Sequence, residues 1–148
     1  MSTYTQILYH IVFSTRNRKR CLSELHCEDL YKYIWGVINN KDCHLYRING
    51  IEDHIHFATS LRPSISLSDF VKDIKVSSSL WIKKEKIFPY FETWQEGYAA
   101  FTYSYRDRDI LIDYIKNQSK HHRKTTFKEE LRKLFVDLGV KFDERYLV

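Results

Sequence analysis

The order in which two hydrophobic periodicities follow one another is the feature that most restricts the fold of this chain. Apolar residues that alternate with polar ones predict strands, and apolar residues spaced three or four apart predict helices. The predicted strands cover residues 5–14, 43–48, 54–61 and 95–103, and the predicted helices begin near Ser23, Ser66, Ser104 and Thr126. Through the fourth strand the order is therefore βαββαβ, with two further helices at the C-terminal end.

This order predicts a ferredoxin-like or RRM-like α+β fold, in which a four-stranded antiparallel sheet carries two helices on one face. Ser66 followed by Asp69 is a capping-box variant that marks the start of the second helix. Asn49-Gly50 lies between the second and third predicted strands and predicts the hairpin turn there. The second face of the sheet is left for solvent, the C-terminal helices, a partner subunit or a ligand. The chain shows no internal repeat or boundary, so residues 1–148 are predicted to form one domain.

The net charge of the chain indicates which class of molecule it is suited to bind. The 148 residues include 24 Lys and Arg against 19 Asp and Glu, which gives a net charge of +5, and 16% of them are aromatic. A basic, aromatic-rich domain favours an anionic partner, nucleic acid first, although a mildly basic protein without such a partner has the same balance. Three cysteines are too few for a disulfide framework. Without a signal-peptide pattern or an apolar segment of membrane-spanning length, we expect a cytoplasmic protein with no membrane partner.

Two histidines one residue apart form the sharpest local motif, Asp53-His54-Ile55-His56. On a strand, residues two apart share a face, so His54 and His56 project together while Ile55 points into the core. Two neighbouring imidazoles can share a divalent cation through neutral ring nitrogens. Spacing alone leaves the alternative open that both are simply half-buried histidines on a sheet.

A tyrosine and a glutamine on the third predicted helix form the second motif, Tyr114-Ile-Lys-Asn-Gln118. Four residues apart, Tyr114 and Gln118 lie on one helix face. A phenol is a weak nucleophile that a nearby cation and an activated electrophile would improve, and the Gln118 amide oxygen can complete a metal site. In isolation, an aromatic such as Tyr114 on an amphipathic helix is more often a core or interface residue than a nucleophile.

The order and spacing of these motifs make the chain resemble the single-tyrosine HUH transposases of bacterial insertion sequences, of the IS200/IS605 type. His54-Ile55-His56 is similar to the His-hydrophobic-His motif, and Tyr114 with its trailing Gln118 is similar to the single-tyrosine motif. The resemblance also includes the opening strand Tyr9-His-Ile-Val-Phe-Ser-Thr15, the segment Trp94-Gln95-x-Gly97-Tyr98 and the tail His121-His122-Arg123.

The resemblance implies metal-dependent cleavage and rejoining of single-stranded DNA, with recognition of hairpins at the ends of a mobile element. A divalent cation, Mg²⁺ or Mn²⁺, would be held by His54, His56 and Gln118. Tyr114 would attack the phosphorus, form a 5′-phosphotyrosine and release a 3′-hydroxyl. The family also implies a homodimer, in which the tyrosine helix can be presented to the histidines of the other subunit, and action in the bacterial cytoplasm, at the nucleoid when bound to DNA.

Clusters of basic residues are the candidates for DNA contact, since such clusters position phosphates. The candidates are Arg16, Arg18, Lys19, Arg20, Lys120, Arg123 and Lys124. Charge runs are also common on solvated surface, so these assignments rest on less than the metal and nucleophile assignments.

Three other functions are compatible with the same motifs. A sheet with exposed aromatics can bind single-stranded nucleic acid without catalysis. A metal-dependent nuclease that uses water would need the histidines but not Tyr114. A host-adopted HUH nuclease without mobility would have the same motifs as a mobile transposase.

Overall fold

The fold, which a computed structural model describes for residues 2–121 and 125–146, is built on a four-stranded antiparallel sheet of order β2-β3-β1-β4. The strands are β1 (Leu8–Ser14), β2 (Leu45–Ile51), β3 (His54–Ser60) and β4 (Ala99–Tyr103). The helices are α1 (Glu24–Asn40), α2 (Leu67–Glu85), α3 (Arg108–Lys116), α4 (Gln118–His121) and α5 (Phe127–Asp137). The predicted α+β class and βαββαβ order are confirmed.

The two faces of the sheet are covered by different helices. On one face Ile11, Phe13, Ile55 and Phe57 belong to a large apolar core with residues of α1 and α2. On the other face the apolar clusters are smaller and include residues of α3 and α5. The C-terminal helices therefore cover the face that the sequence left unassigned, and the sheet lies between two helical layers.

Three helix starts follow the predicted signals to different degrees. Ser66 accepts a hydrogen bond from the Asp69 backbone N–H at 3.1 Å, and Thr126 accepts one from the Glu129 backbone N–H at 3.2 Å. Ser104 instead precedes a short 3₁₀ turn, so α3 begins only at Arg108. None of the helices in the described ranges is long and apolar enough to span a membrane.

The hairpin between β2 and β3 turns at Glu52 and Asp53, so the prediction of a turn at Asn49-Gly50 is wrong. Asn49 and Gly50 are residues of β2 instead. A Cβ atom at position 50 would overlap the backbone oxygen of His54. Glycine is needed there because the two backbones approach closely, not because the chain reverses.

Asn49 connects the sheet to α3. Its side-chain amide donates to the backbone oxygens of Ile115 at 3.2 Å and Lys116 at 3.0 Å. Carbonyls at the end of a helix lack partners within the helix, so this side chain caps the C-terminal end of α3. The contact fixes α3 against β2, and with it the position of the tyrosine that α3 carries.

Candidate functional site

Three histidines lie together on the face of the sheet that α3 and α5 cover. His54 and His56 are on β3, and His10 is on the neighbouring β1; none of the three side chains is exposed to solvent. Strand alternation places His54 and His56 on this face and Ile55 in the core on the other, as predicted. Burying an imidazole destabilises the folded state unless its ring nitrogens form hydrogen bonds or bind a cation. The contacts of these nitrogens therefore indicate the chemistry of the site.

A carboxylate from α5 lies at the centre of the site. Glu130 Oε1 is 3.1 Å from His56 Nε2 and 3.5 Å from His54 Nε2. Glu130 Oε2 accepts a short hydrogen bond from the Tyr114 hydroxyl and another, at 3.1 Å, from Gln118 Nε2. Both oxygens of one carboxylate thus connect the histidine pair to the tyrosine and the glutamine.

The residues of the two sequence motifs converge within one chain. The Tyr114 ring centroid is 5.8 Å from that of His56, and the Gln118 side chain is fully buried beside them. Tyr114 is on α3, whereas Gln118 is the first residue of α4, because α3 ends at Lys116. The expected single helix is therefore broken between the two residues, yet both side chains still reach Glu130. The tyrosine lies beside the histidines of its own chain.

The donor atoms of this site fit a divalent cation. One ligand atom each from His54, His56 and Glu130 lies within 4.8 Å of the others. Adjacent ligands in the octahedral geometry that Mg²⁺ and Mn²⁺ prefer, at about 2.1 Å from the ion, are about 3.0 Å apart. The observed distances between nitrogen and oxygen are 3.1 and 3.5 Å, so small side-chain shifts would bring these atoms to that spacing. Gln118 Oε1 is buried and has no hydrogen-bond partner among the described residues, so a further oxygen donor is available.

The outer nitrogens of the two motif histidines have different partners. His54 Nδ1 is 2.7 Å from Asp53 Oδ1, and the His54 ring stacks on Phe127 at a centroid distance of 4.1 Å. His56 Nδ1 is 2.8 Å from His10 Nε2. These contacts fix the orientation of both rings.

Burial and charge shift the protonation equilibria of this cluster. Burial lowers the pKa of His10 well below its usual value, and His56 lowers it further, so His10 stays neutral. Burial also acts to lower the pKa of His54, but hydrogen bonds to Asp53 and Glu130 outweigh it and raise that pKa. The pKa of Tyr114 is raised by burial and by the Glu130 carboxylate. Without a cation, the phenol therefore keeps its proton at neutral pH.

The predicted DNA-contact residues are divided between two places. Arg16, Lys19 and Arg20 are exposed in the segment that follows β1, whose last residue pairs with His54, and Arg18 is partly exposed there. Lys120 is exposed on α4, two residues after Gln118. Arg123 and Lys124 lie outside the described residues.

Sequence reasoning missed Glu130 and His10. Glu130 follows Glu129 in the first turn of α5, where acidic residues are common because they favour the helix dipole. His10 is one polar residue between apolar neighbours of a strand. Neither has a local motif, and only the strand register and the packing of α5 bring them to the site.

The chain matches one protein family in sequence and is similar in fold to solved transposase structures. The chain matches the family described as "Transposase IS200 like" over residues 3–118. A solved structure assigned as a transposase from Deinococcus radiodurans R1 has a TM-score of 0.62 at 22% identity, covering 80% of this chain and 95% of that one. A REP-associated tyrosine transposase bound to a REP hairpin has a TM-score of 0.60 at 18% identity, covering 82% of this chain and 74% of that one. No curated protein matches the chain. The family match includes both sequence motifs and ends before Glu130.

Proposed function

This chain belongs to the IS200-like transposase family, and from that premise we propose that it cleaves and rejoins single-stranded DNA through a covalent bond to Tyr114. The observation that carries the proposal is the convergence of the Tyr114 hydroxyl and the two motif histidines on one buried carboxylate, Glu130. A structural tyrosine on a helix would not require this set of polar groups around it.

The histidine pair and the oxygens beside it are the proposed holders of a divalent cation, Mg²⁺ or Mn²⁺. His54 and His56 offer ring nitrogens, Gln118 offers the amide oxygen without a hydrogen-bond partner, and Glu130 adds a carboxylate that the sequence motifs did not include. When bound there, the cation supplies Lewis acidity that polarises the scissile phosphate. Imidazole ligands suit Mn²⁺ better than Mg²⁺.

Tyr114 is the proposed nucleophile. Its hydroxyl donates to Glu130 Oε2, so this carboxylate oxygen is placed to receive the phenol proton as the oxygen attacks phosphorus. The bond from Tyr114 to phosphorus forms, and the bond from phosphorus to the 3′ oxygen breaks. The 3′ oxygen leaves with the electron pair and takes up a proton, so one strand ends in a 3′-hydroxyl and the other in a 5′-phosphotyrosine. Attack by a 3′-hydroxyl on that phosphotyrosine reverses the step and joins a strand.

The proposed substrate is single-stranded DNA beside a hairpin. The fold is shared with a transposase whose structure contains a REP hairpin, and the net charge of +5 suits a polyanion. The proposed phosphate contacts are the basic residues Arg16, Arg18, Lys19, Arg20, Lys120, Arg123 and Lys124. Of these, Arg16, Lys19, Arg20 and Lys120 are exposed. We also propose that the chain acts as a homodimer, in the bacterial cytoplasm where chromosomal DNA lies.

A covalent-adduct assay tests this function. The probe is a pool of oligonucleotides with a fixed hairpin and randomised single-stranded flanks, labelled at the 3′ end and incubated with Mn²⁺. On a denaturing gel, the 3′ label is expected to migrate with the protein, since the 5′-phosphate at the cut stays on Tyr114. Tyr114→Phe should remove the adduct, and EDTA should prevent its formation.

Tyr105→Phe is the matched control, because Tyr105 is exposed on the turn before α3 and makes no contact with the histidines in the described structure. That variant should form the adduct as the wild type does. Cleavage without an adduct, unaffected by Tyr114→Phe, would indicate a nuclease that uses water. Binding that survives EDTA with no cleavage would indicate a binding domain. Either result would overturn the proposal.

A further inference from the structure

His10 is a buried polar residue to which the reaction described above gives no part. Its side chain has no solvent exposure, and its Nε2 atom lies 2.8 Å from His56 Nδ1. The two ring planes are within 24° of parallel, but the nitrogens are too close for stacked rings, so the imidazoles meet edge to edge. This distance and arrangement are those of an N–H···N hydrogen bond.

Building on the proposed metal site, we propose that His10 is a positioning residue for His56: it accepts a hydrogen bond from His56 Nδ1–H when the site holds a cation. A neutral imidazole carries one N–H, so a proton held on Nδ1 leaves the lone pair of Nε2 free to bind metal. His56 Nε2 is the nitrogen that faces Glu130 Oε1, on the side where the other donor atoms converge. Partners of this kind fix both the tautomer and the ring orientation of metal-binding histidines.

The paired histidine supports this assignment. His54 has the same arrangement with a carboxylate, since Asp53 Oδ1 is 2.7 Å from His54 Nδ1. Asp53 lies at the hairpin turn, whereas His10 is enclosed by the rings of Phe101, Tyr103 and Tyr114 at centroid distances of 5.7, 6.0 and 5.9 Å. A carboxylate at position 10 would add another buried anion to a cluster that already holds Glu130 and Asp53. A neutral imidazole supplies an acceptor without that charge.

Packing alone does not account for a histidine at this position. His10 Nδ1 is buried and has no hydrogen-bond partner among the described residues, which destabilises the folded state. An apolar residue would fill the same space beside Phe101 and Tyr103 without that cost. The acceptor at Nε2 is the feature that only a polar side chain provides.

Mn²⁺ affinity, measured by electron paramagnetic resonance without DNA, tests the role of His10. His10→Phe keeps a ring but removes the acceptor, and we expect its dissociation constant to rise about 10- to 100-fold. His10→Gln places an amide oxygen near the position of Nε2 and should restore most of the affinity. Ile11→Val is the matched control: Ile11 is the next residue of β1, on the opposite face, and its truncation should leave the affinity unchanged.

The tautomer of His56 gives a second measurement that needs no substitution. In the wild-type protein loaded with diamagnetic Zn²⁺, ¹⁵N NMR should show the His56 proton on Nδ1. A proton absent from Nδ1, or a folded His10→Phe variant that binds Mn²⁺ like the wild type, would overturn the role of His10 while leaving the proposed function intact. A wild-type protein that binds no divalent cation would overturn the metal site itself, and this inference with it.

Discussion

The two faces of the central sheet are made from neighbouring residues of the same strands, yet one face is almost wholly apolar and the other combines buried histidines with smaller apolar clusters. On β3, Ile55 and Phe57 enter the apolar core under α1 and α2, while His54 and His56 face α3 and α5. Both sets are fully buried. The first face therefore stabilises the fold by burying a large apolar area, whereas the second, the polar face, buries less apolar area and adds polar groups that need specific partners.

Burial alone therefore does not distinguish an apolar core from a buried polar cluster. A slip of one residue in the pairing of β3 would exchange the two sets, so the large apolar cluster also fixes the register that holds the histidines together. The apolar face is expected to determine the stability of the chain, and the polar face its chemistry. Substitutions on the two faces should separate these properties.

Removing apolar volume from the core face should have the largest effect on stability. Phe57 is fully buried and packs edge to face against Phe13 at a centroid distance of 5.9 Å. Phe57→Ala should lower the free energy of unfolding by about 3–5 kcal/mol, because it leaves a cavity that the sheet cannot close. Urea denaturation measures this. A loss below about 1 kcal/mol would mean that this face is not the main source of stability.

Mn²⁺ should stabilise the folded protein through the polar face. A ligand at 100 times its dissociation constant adds about 2.7 kcal/mol to the free energy of unfolding when it binds only the folded state. Thermal unfolding should show this gain in the wild type. Glu130→Ala should lose most of it, because the carboxylate between His54 and His56 is removed.

Glu129→Ala is the control for that comparison, since Glu129 is the exposed neighbour on α5. It should keep the stabilisation by Mn²⁺. If Glu130→Ala also keeps it, Glu130 is no ligand, and its contacts with the histidines serve only the metal-free state.

The close approach of β2 and β3 at Gly50 can be tested by adding a methyl group there. Gly50→Ala places a Cβ atom against the His54 backbone oxygen, and we expect it to cost about 1–3 kcal/mol in calorimetry. Gly36→Ala is the control: beyond the backbone of α1 and the two chain neighbours, no atom of the described residues lies within 4 Å of the added Cβ, so the substitution should stabilise by about 0.5–1 kcal/mol. Equal effects at both positions would contradict the strand contact.

The order of the elements, the antiparallel sheet and the shared face of His54 and His56 could be predicted from the sequence, because strand and helix periodicities are local. The turn predicted at Asn49-Gly50, a common pair in hairpin turns, was wrong because tertiary contacts determine these two residues. Gly50 allows the close approach of β3, and Asn49 caps the C-terminal end of α3. The sequence predicted a single helix for Tyr114 and Gln118, and could not foresee the end of α3 between them.

The missed site residues depend on contacts between distant segments. His10 reaches His56 through the pairing of β1 with β3, 46 residues apart, and Glu130 reaches His56 from 74 residues away. Neither position has a spacing that indicates a role. The family match also ends before Glu130, so resemblance could not supply that residue either. The assignments of the metal ligands and the nucleophile stay predictions.

Covalent transfer through Tyr114 can be tested by identifying the residue that becomes joined to DNA. The adduct formed with Mn²⁺ would be digested with protease and nuclease, and the modified peptide sequenced by tandem mass spectrometry. We expect a nucleotide joined through its 5′-phosphate to the Tyr114 oxygen. A nucleotide attached to any other residue, or attached through its 3′ end, would contradict this expectation.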